Sequence, residues 1–333
     1  MNDIKYRGAL LPEKKRSGRK QPDKKNRQKN IFVWCVLAFP LLNFLVFYVA
    51  VNAQSFLYAF QQYDSNLNLR WAGFQNFSLV LERFKNTPDF WRYTVNSLIY
   101  FLVPTAIGMP LNMVFGYLLY TKIRGGAVLR TLLLLPAMLS SVLNTLMFMK
   151  LVEEALLSFM ITVFGKEIPN LLTDERYAMW TQIAYALLTG FTTSIIIYPN
   201  AMNNVNDSVV ESAKIDGASH MNILWRLIVP SIYPTITTYM VLGVAGIFSF
   251  AGSLYLFFNT SAPSSVASMG YYLFVGALGG ADGGSGIRDY PFLSAVGLLF
   301  TVVSAPLTLL VQWAMEKYGP SEETRAGRKE GHV

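Results

Sequence analysis

Glu211, Lys214, Asp216 and Arg226 are the charged side chains in the stretch "VVESAKIDGASHMNILWRLIVPSIYP", Val209–Pro234. No Asp, Glu, Lys or Arg lies between residues 177 and 206, and after Arg226 none appears until Asp282. Two carboxylates and two cations so placed suit ionic docking, not bond breaking. Acid–base or nucleophilic catalysis needs a His, Cys or Ser set against an orienting partner. Here His220 and His332 lie far apart in sequence, and Cys35 is the single cysteine. One cysteine permits no intramolecular disulfide and no thiolate metal site. HExxH, GxSxG, Walker A and GxGxxG patterns are absent. No catalytic residue, no metal ligand and no cofactor is therefore assigned, and the chain reads as non-enzymatic.

The elements that must position these charges are local. Ser208-x-x-Glu211 forms a capping box, which predicts a helix from about Val209 to Ile215. Asp216-Gly217 breaks it, with Gly217 suited to a left-handed position after the C-cap. Ser219 caps a second helix with Ile223, Leu224, Leu227 and Ile228 along one side, and Pro230 and Pro234 end it. The product is a bent, partly polar projection. An amphipathic loop on lipid headgroups would explain Trp225 and the apolar side. It would not explain acids in a rigid bend, which a docking knob for a protein partner does.

Around this projection the chain is membrane-like. Only 14% of its 333 residues are charged, where soluble domains carry about 25%. Ile31–Val51, Val95–Leu119, Thr131–Met149, Thr181–Asn200, Thr235–Phe257 and Phe292–Trp313 each lack any Asp, Glu, Lys or Arg. Each approaches or exceeds the roughly 20 apolar residues of a helical crossing. The fold class is thus an all-α polytopic membrane protein with six transmembrane helices. A β-barrel would show shorter, alternating segments. Residues 1–30 carry eleven Lys and Arg against three acids. With six spans, one side collects twenty basic residues and the other eight. The basic side should be cytoplasmic, which puts both termini and the projection there.

Three domains follow: a basic tail, 1–30; a transmembrane domain, 31–318; and a C-terminal tail, 319–333. The basic tail has the composition of a disordered segment, and topology with anionic-lipid contact explains its charge better than nucleic acid does. Ile31–Ala53 is too long for a signal-peptide apolar region and reads as an uncleaved first helix. "RWAGFQNFSLVLERF" predicts a short interfacial helix capped by Asn76, with Phe77, Val80, Leu81 and Phe84 on one face; docking of a partner is the alternative. Residues 276–290 read as a glycine-rich loop on the non-cytoplasmic side. Gly243, Gly246 and Gly252 either allow close helix packing or line a path. The six spans hold no ionisable acid, base or histidine, which ion-coupled carriers use for coupling. Their polar groups are neutral: Asn96, Asn112, Asn144, Ser249, Ser253 and Tyr255. That favours a neutral or hydroxyl-rich solute driven from elsewhere.

The projection resembles the EAA loop of permease subunits of bacterial binding-protein-dependent ABC importers, E-A-A-x-x-D-G-A-x(8)-I-x-x-P. Here it is written Glu211-Ser212-Ala213-Lys214-Ile215-Asp216-Gly217-Ala218, then Leu227-Ile228-Val229-Pro230, with Ser212 in place of an alanine. "AGFQNFSLVL" and "FWRYTVNSLIY" are similar to segments of the maltose-type carbohydrate branch, and the likeness covers roughly residues 36–318. The resemblance implies a type I importer permease fold with a coupling helix between helices 4 and 5. Glu211, Ser212, Ala213, Asp216, Gly217, Ala218, Ile228 and Pro230 would couple to an ATPase subunit, Glu211 facing its basic residues and Ala213 and Ala218 allowing close approach. It also implies a cytosolic ATPase dimer that carries the ATP and Mg, a second homologous permease, an extracytoplasmic solute-binding protein and residence in the bacterial inner membrane. The solute would be an oligosaccharide or polysaccharide fragment. For its path the residues offer Phe248 and Tyr255 to stack on sugar faces and Ser249 and Asn259 to bond hydroxyls; the other reading is that they pack helices. A stand-alone channel or facilitator, and a scaffold that only recruits a cytosolic partner, are the competing functions.

Overall fold

The computed structural model describes residues 24–279 and 289–320. Most of the basic segment 1–30, the middle of the glycine-rich loop 276–290 and nearly all of the tail 319–333 lie outside the described residues. The chain divides into two units, Met1–Ser55 and Phe56–Val333. In the first, α1 (Lys24–Asn43) runs into a π-helical turn, Phe44–Ala50, and then into α2 (Val51–Tyr58). Pro40 removes one N–H from the ladder of α1, and Asn52 Nδ2 donates to the Tyr48 carbonyl at 2.6 Å within the π-to-α passage. Phe32, Phe39 and Phe47 are 70–75% exposed. Asn30–Tyr58 is long and apolar enough to cross a membrane, as the expected first helix requires.

The second unit opens on a hairpin, β1 (Gln61–Tyr63) and β2 (Leu69–Trp71), with Gln62 opposite Arg70. An Arg70–Asp64 ion pair of 2.6 Å ties it. α3 (Gln75–Asn86) is the expected short helix, but Asn76 does not cap it: Phe74 holds the N-cap without a side-chain bond. Asn76 is instead buried, its Nδ2 donating to the carbonyls of Ala59 (2.9 Å) and Gln61 (2.7 Å) and its Oδ1 accepting from Gln62 Nε2 (2.9 Å). A buried amide must find partners, and the hairpin with the turn that leads into it supplies three. Val80 is fully buried and Phe77 and Phe84 pack beside it, whereas Leu81 is 55% exposed.

α4 (Pro88–Tyr120) is an unbroken span. The third expected span is not straight. α5 (Gly126–Met138) and the run of α6 (Ser141–Lys150), a π turn at Leu151–Ala155 and α7 (Leu156–Phe164) meet at 105°. Leu139 is extended at the corner, Ser140 Oγ accepts from the Leu143 N–H at 3.2 Å, and Asn144 Nδ2 donates to the Pro136 carbonyl at 2.7 Å. Asn144 thus satisfies backbone freed by the corner. α8 (Glu175–Met202) is again straight and long. Then come α9 (Asp207–Ile215), α10 (His220–Ile223), a π turn at Leu224–Ile228 and α11 (Val229–Ser231), bent by 69° from α12 (Tyr233–Ala245). The expected fifth span, Thr235–Phe257, breaks after α12 into a 3-10 turn, Ile247–Ser249, and α13 (Gly252–Phe258). An apolar run records composition and not corners, so the sequence reading drew both spans straight. α14 (Met269–Leu278) and the last span, α15 (Tyr290–Tyr318), complete the unit. Four helices are long and apolar enough to cross alone, and counting each bent pair as one crossing gives up to six among the described residues; the second pair takes in His220–Ser231 of the projection, in place of the α12–α13 run expected as the fifth span.

Two apolar clusters sit toward opposite ends of the long helices. One joins the hairpin end, with Val80, Phe90, Phe248, Tyr272, Phe292 and Phe300. The other lies under α9 and α10. Between them α4 and α8 pack side by side. Gly116 allows this approach, since a Cβ there would stand 3.0 Å from that of Tyr198.

Candidate functional site

The bend at α9–α10 is built as its local chemistry directs, with one change. Helix α9 begins two residues before the expected start, and Asn206 is its N-cap, its Oδ1 accepting from the Ser208 N–H at 3.1 Å. Ser208 is therefore inside the helix, its Oγ donating to Asn206 Oδ1 at 2.9 Å, and the Ser208–Glu211 capping box does not form. Asn and Ser are comparable caps; the earlier Asn lengthens the helix by two residues. At the other end Gly217 has φ +80°. The Ala218 N–H reaches the Ala213 carbonyl at 3.0 Å and the Gly217 N–H that of Lys214 at 3.1 Å, the paired bonds of a Schellman cap. Ser219 caps α10 as expected, its Oγ accepting from the Asn222 N–H at 3.3 Å. Ser212, the departure from the family pattern, bonds the Ser208 carbonyl at 2.9 Å and disturbs nothing. Pro230 does not end the second helix, which continues through Ser231; Pro234 opens the next one.

The bend has two faces. Val210, Ile223, Leu224 and Ile228 are buried with Met113, Tyr117, Tyr198 and Met202. Ala213 and Ala218 are half-buried against the same cluster, so their small size serves packing on the chain's own helices. Outward stand Glu211, Ser212, Lys214, Asp216 and Gly217, with Ile215 86% exposed at the tip. Among the described residues Glu211, Lys214 and Asp216 make no ion pair and no side-chain hydrogen bond. Two tyrosines of α4 tether the bend: the Tyr117 hydroxyl lies 3.2 Å from His220 Nδ1 and the Tyr120 hydroxyl donates to Asp207 Oδ1 at 3.3 Å.

Directly beyond that cluster, α4, α8 and α12 enclose a groove of about 230 Å³. Its polar wall includes Thr105, Asn112, Ser194, Tyr198 and Tyr239, and it holds no charged residue. Asn112 Nδ2 donates to Ser194 Oγ at 2.9 Å, while its Oδ1 is buried without a partner among the described residues. Hydroxyls thus face the groove, with an unpartnered acceptor buried in its wall. Tyr198 belongs both to this wall and to the cluster under α9–α10, so displacement of the bend reaches the groove through shared side chains.

Of the neutral polar residues singled out in the sequence, only Asn112 lines the groove. Asn96 and Asn144 bond backbone carbonyls. None of the four residues expected on the solute path lines this groove. Phe248 is buried with its ring 4.4 Å from that of Phe300. Tyr255 packs against Phe274, ring centroids 5.0 Å apart. Asn259 turns the chain at φ +49° with its carbonyl accepting from Tyr271, and Ser249 is exposed on the 3-10 turn. Gly243 is a packing glycine, since a Cβ there would meet Phe101 at 2.7 Å. Sequence reasoning missed Thr105, Ser194, Tyr198 and Tyr239. The signal that finds them is the packing of α4 with α8 and α12, which only the fold supplies.

Residues 77–321 match the model of the family described as binding-protein-dependent transport system inner membrane component. The polygalacturonan/rhamnogalacturonan transport system permease protein YteP of Bacillus subtilis (strain 168) is 25% identical over 270 residues, covering 78% of this chain and 80% of the relative. The arabinooligosaccharides transport system permease protein AraP of the same organism is 20% identical over 275 residues, covering 81% and 84%. A chain in the crystal structure of a bacterial ABC transporter that imports the acidic polysaccharide alginate superposes with a TM-score of 0.74 at 20% identity, covering 89% of this chain and 98% of that one.

Proposed function

The chain belongs to the family of binding-protein-dependent transport system inner membrane components, and from that premise we propose that it is a permease subunit of an ATP-driven importer of a carbohydrate. It would form the path together with a second permease, receive solute from an extracytoplasmic binding protein and dock on a cytosolic ATPase dimer, which carries the ATP and Mg. Both termini and the α9–α10 bend would be cytoplasmic. The observation that carries the reading is the bend itself: a capped element with free acids and an exposed Ile215 outside, and its inner face locked to the cluster that walls the groove.

The mechanism follows from that geometry. Closure of the ATPase dimer draws the bend with it, and Glu211 supplies an ionic contact for a basic surface. Val210, Ile223, Leu224 and Ile228 pass the displacement to α4 and α8 through close packing, and Tyr117 and Tyr120 hold the two helices of the bend to α4. Moving a two-state equilibrium from 1:99 to 99:1 takes about 5.5 kcal/mol of differential binding. A capped, packed bend can transmit that; a loose linker would dissipate it as local motion. The uncharged groove, lined by the hydroxyls of Thr105, Ser194, Tyr198 and Tyr239 with the unpartnered Asn112 Oδ1 buried in its wall, suits hydroxyl groups, and the names of the curated relatives agree with a glycan. Phe248, Ser249, Tyr255 and Asn259 would then act on the path only in another arrangement of the broken fifth span.

Affinity purification of the tagged chain from its own cells tests this. The proposal expects a stoichiometric ATPase and a second permease, with ATP hydrolysis stimulated by a sugar-loaded binding protein. Recovery of the chain alone, conducting a neutral solute without ATP, would establish the facilitator reading.

A further inference from the structure

Gln182 lies on α8 four residues before Ala186, so it continues the stripe of Ala186, Gly190 and Ser194 by one helical turn, about 6 Å, past the groove. It is 1% exposed. Neither its Nε2 nor its Oε1 has a hydrogen-bond partner among the described residues. Ser265 Oγ, in the segment 262–271, is likewise buried without a partner among the described residues, whereas the groups that join α4 to that segment are bonded. Asn96 Nδ2 donates to the carbonyls of Ser264 (3.1 Å) and Ala267 (2.9 Å), the Tyr100 hydroxyl donates to that of Val266 (3.0 Å), and Ser97 Oγ accepts from the Met269 N–H (2.9 Å). Ser268 Oγ bonds the Phe250 carbonyl. A Cβ on Gly270 would stand 2.7 Å from the Phe250 nitrogen, so this segment lies directly on the break between α12 and α13. Ala178, Met179 and Ile183, the α8 neighbours of Gln182, pack in one cluster with Tyr100, Leu254, Val266 and Tyr271. The segment 262–271 and the broken fifth span therefore seal the region of α8 that holds the amide.

A buried amide with both ends unbonded raises the energy of the conformation that contains it. A leucine of similar size would fill the place without that cost. We propose that Gln182 is a wall residue of the solute path in the opposite conformation: it is sealed here, and it faces water and solute when segment 262–271 and the α12–α13 break draw away from α4 and α8. Its amide offers one acceptor and two donor hydrogens, which suits adjacent hydroxyls of a glycan, and it lengthens the groove by one turn. The inference rests on the reading of the groove as the solute path.

Cysteine labelling of the whole transporter tests it. In a Cys35→Ser background, Gln182→Cys and Ser194→Cys are exposed to a charged, water-soluble thiol reagent, nucleotide-free and after trapping with ATP and vanadate. The proposal expects Ser194→Cys to react, and Gln182→Cys to react about tenfold or more faster in the trapped state, as a large population shift requires. Equal rates in both states, or no reaction at residue 182 while residue 194 reacts, would overturn it. If residue 194 reacts in neither state, the groove is not the path and the inference falls with that reading. Gln182→Leu gives a second readout: the melting midpoint of the nucleotide-free complex should rise by a few degrees, and a fall would show that the amide is held by bonds and contradict the proposal.

Discussion

The two ends of the α4–α8 pair are held by different balances of packing and bonding. Under the α9–α10 bend the contact is apolar, with Val210, Ile223, Leu224 and Ile228 against Met113, Tyr198 and Met202, and among the described residues two tyrosine hydroxyls tie it from the side. At the other end apolar packing of Tyr100, Ala178 and Ile183 with Val266 and Tyr271 is joined by directed bonds that Asn96, Ser97 and Tyr100 of α4 make with the backbone of 264–269. Apolar packing keeps two bodies moving together and tolerates small sliding. A set of directed bonds is either made or broken. One end is therefore suited to transmit a stroke and the other to be a latch that opens in a single step.

The largest test of this contrast strikes the bend without touching its packing. No atom comes within 4 Å of a Cβ placed on Gly217, yet its φ is +80°, so Gly217→Val strains the backbone alone. The left-handed conformation costs a non-glycine residue about 1–2 kcal/mol, and a β-branched one more. Uptake should fall about tenfold, the equivalent of roughly 1.4 kcal/mol, while ATPase and permease still copurify. Unchanged uptake by the assembled variant would show that the bend need not be rigid.

Asn96→Ala strikes the latch. It leaves the buried carbonyl of Ala267 without its donor, at about 1–3 kcal/mol in the general case, and removes a second bond to the part-buried carbonyl of Ser264. The melting midpoint should drop, and a cysteine at residue 182 should become reactive without nucleotide. A latch that stayed closed would place the seal elsewhere.

The smallest effect separates the two candidate caps of α9. Asn206→Ala should cost about 1 kcal/mol of local stability, and Ser208→Ala less, measured by hydrogen exchange over 207–215. The reverse order would restore the capping box.

What the sequence made legible was local. Gly217, Ser219 and the apolar side of α10 answer to neighbours within four residues, and the number of spans answers to composition. The start of α9 was misjudged because Asn206 and Ser208 compete for one role, and local rules rank them nearly equal. Corners at Leu139–Ser140 and after Ala245 are invisible in an apolar run. Asn76 reads as a cap in the sequence because its partners, Ala59 and Gln61, come from a turn and hairpin not apparent there. The groove was least legible: Asn112 and Ser194 are 82 residues apart, and only the side-by-side packing of α4 and α8 brings them together.

The central claim is that the α9–α10 bend is the contact between this chain and an ATPase subunit. Ile215→Cys, placed at the exposed tip in a Cys35→Ser background and paired with single cysteines around the helix-binding surface of the copurified ATPase, measures that contact by disulfide cross-linking in membranes. The account predicts a cross-linked pair whose yield changes when ATP is bound. A residue 215 that cross-links to nothing and reacts with an impermeant reagent from the external side of intact cells would contradict it.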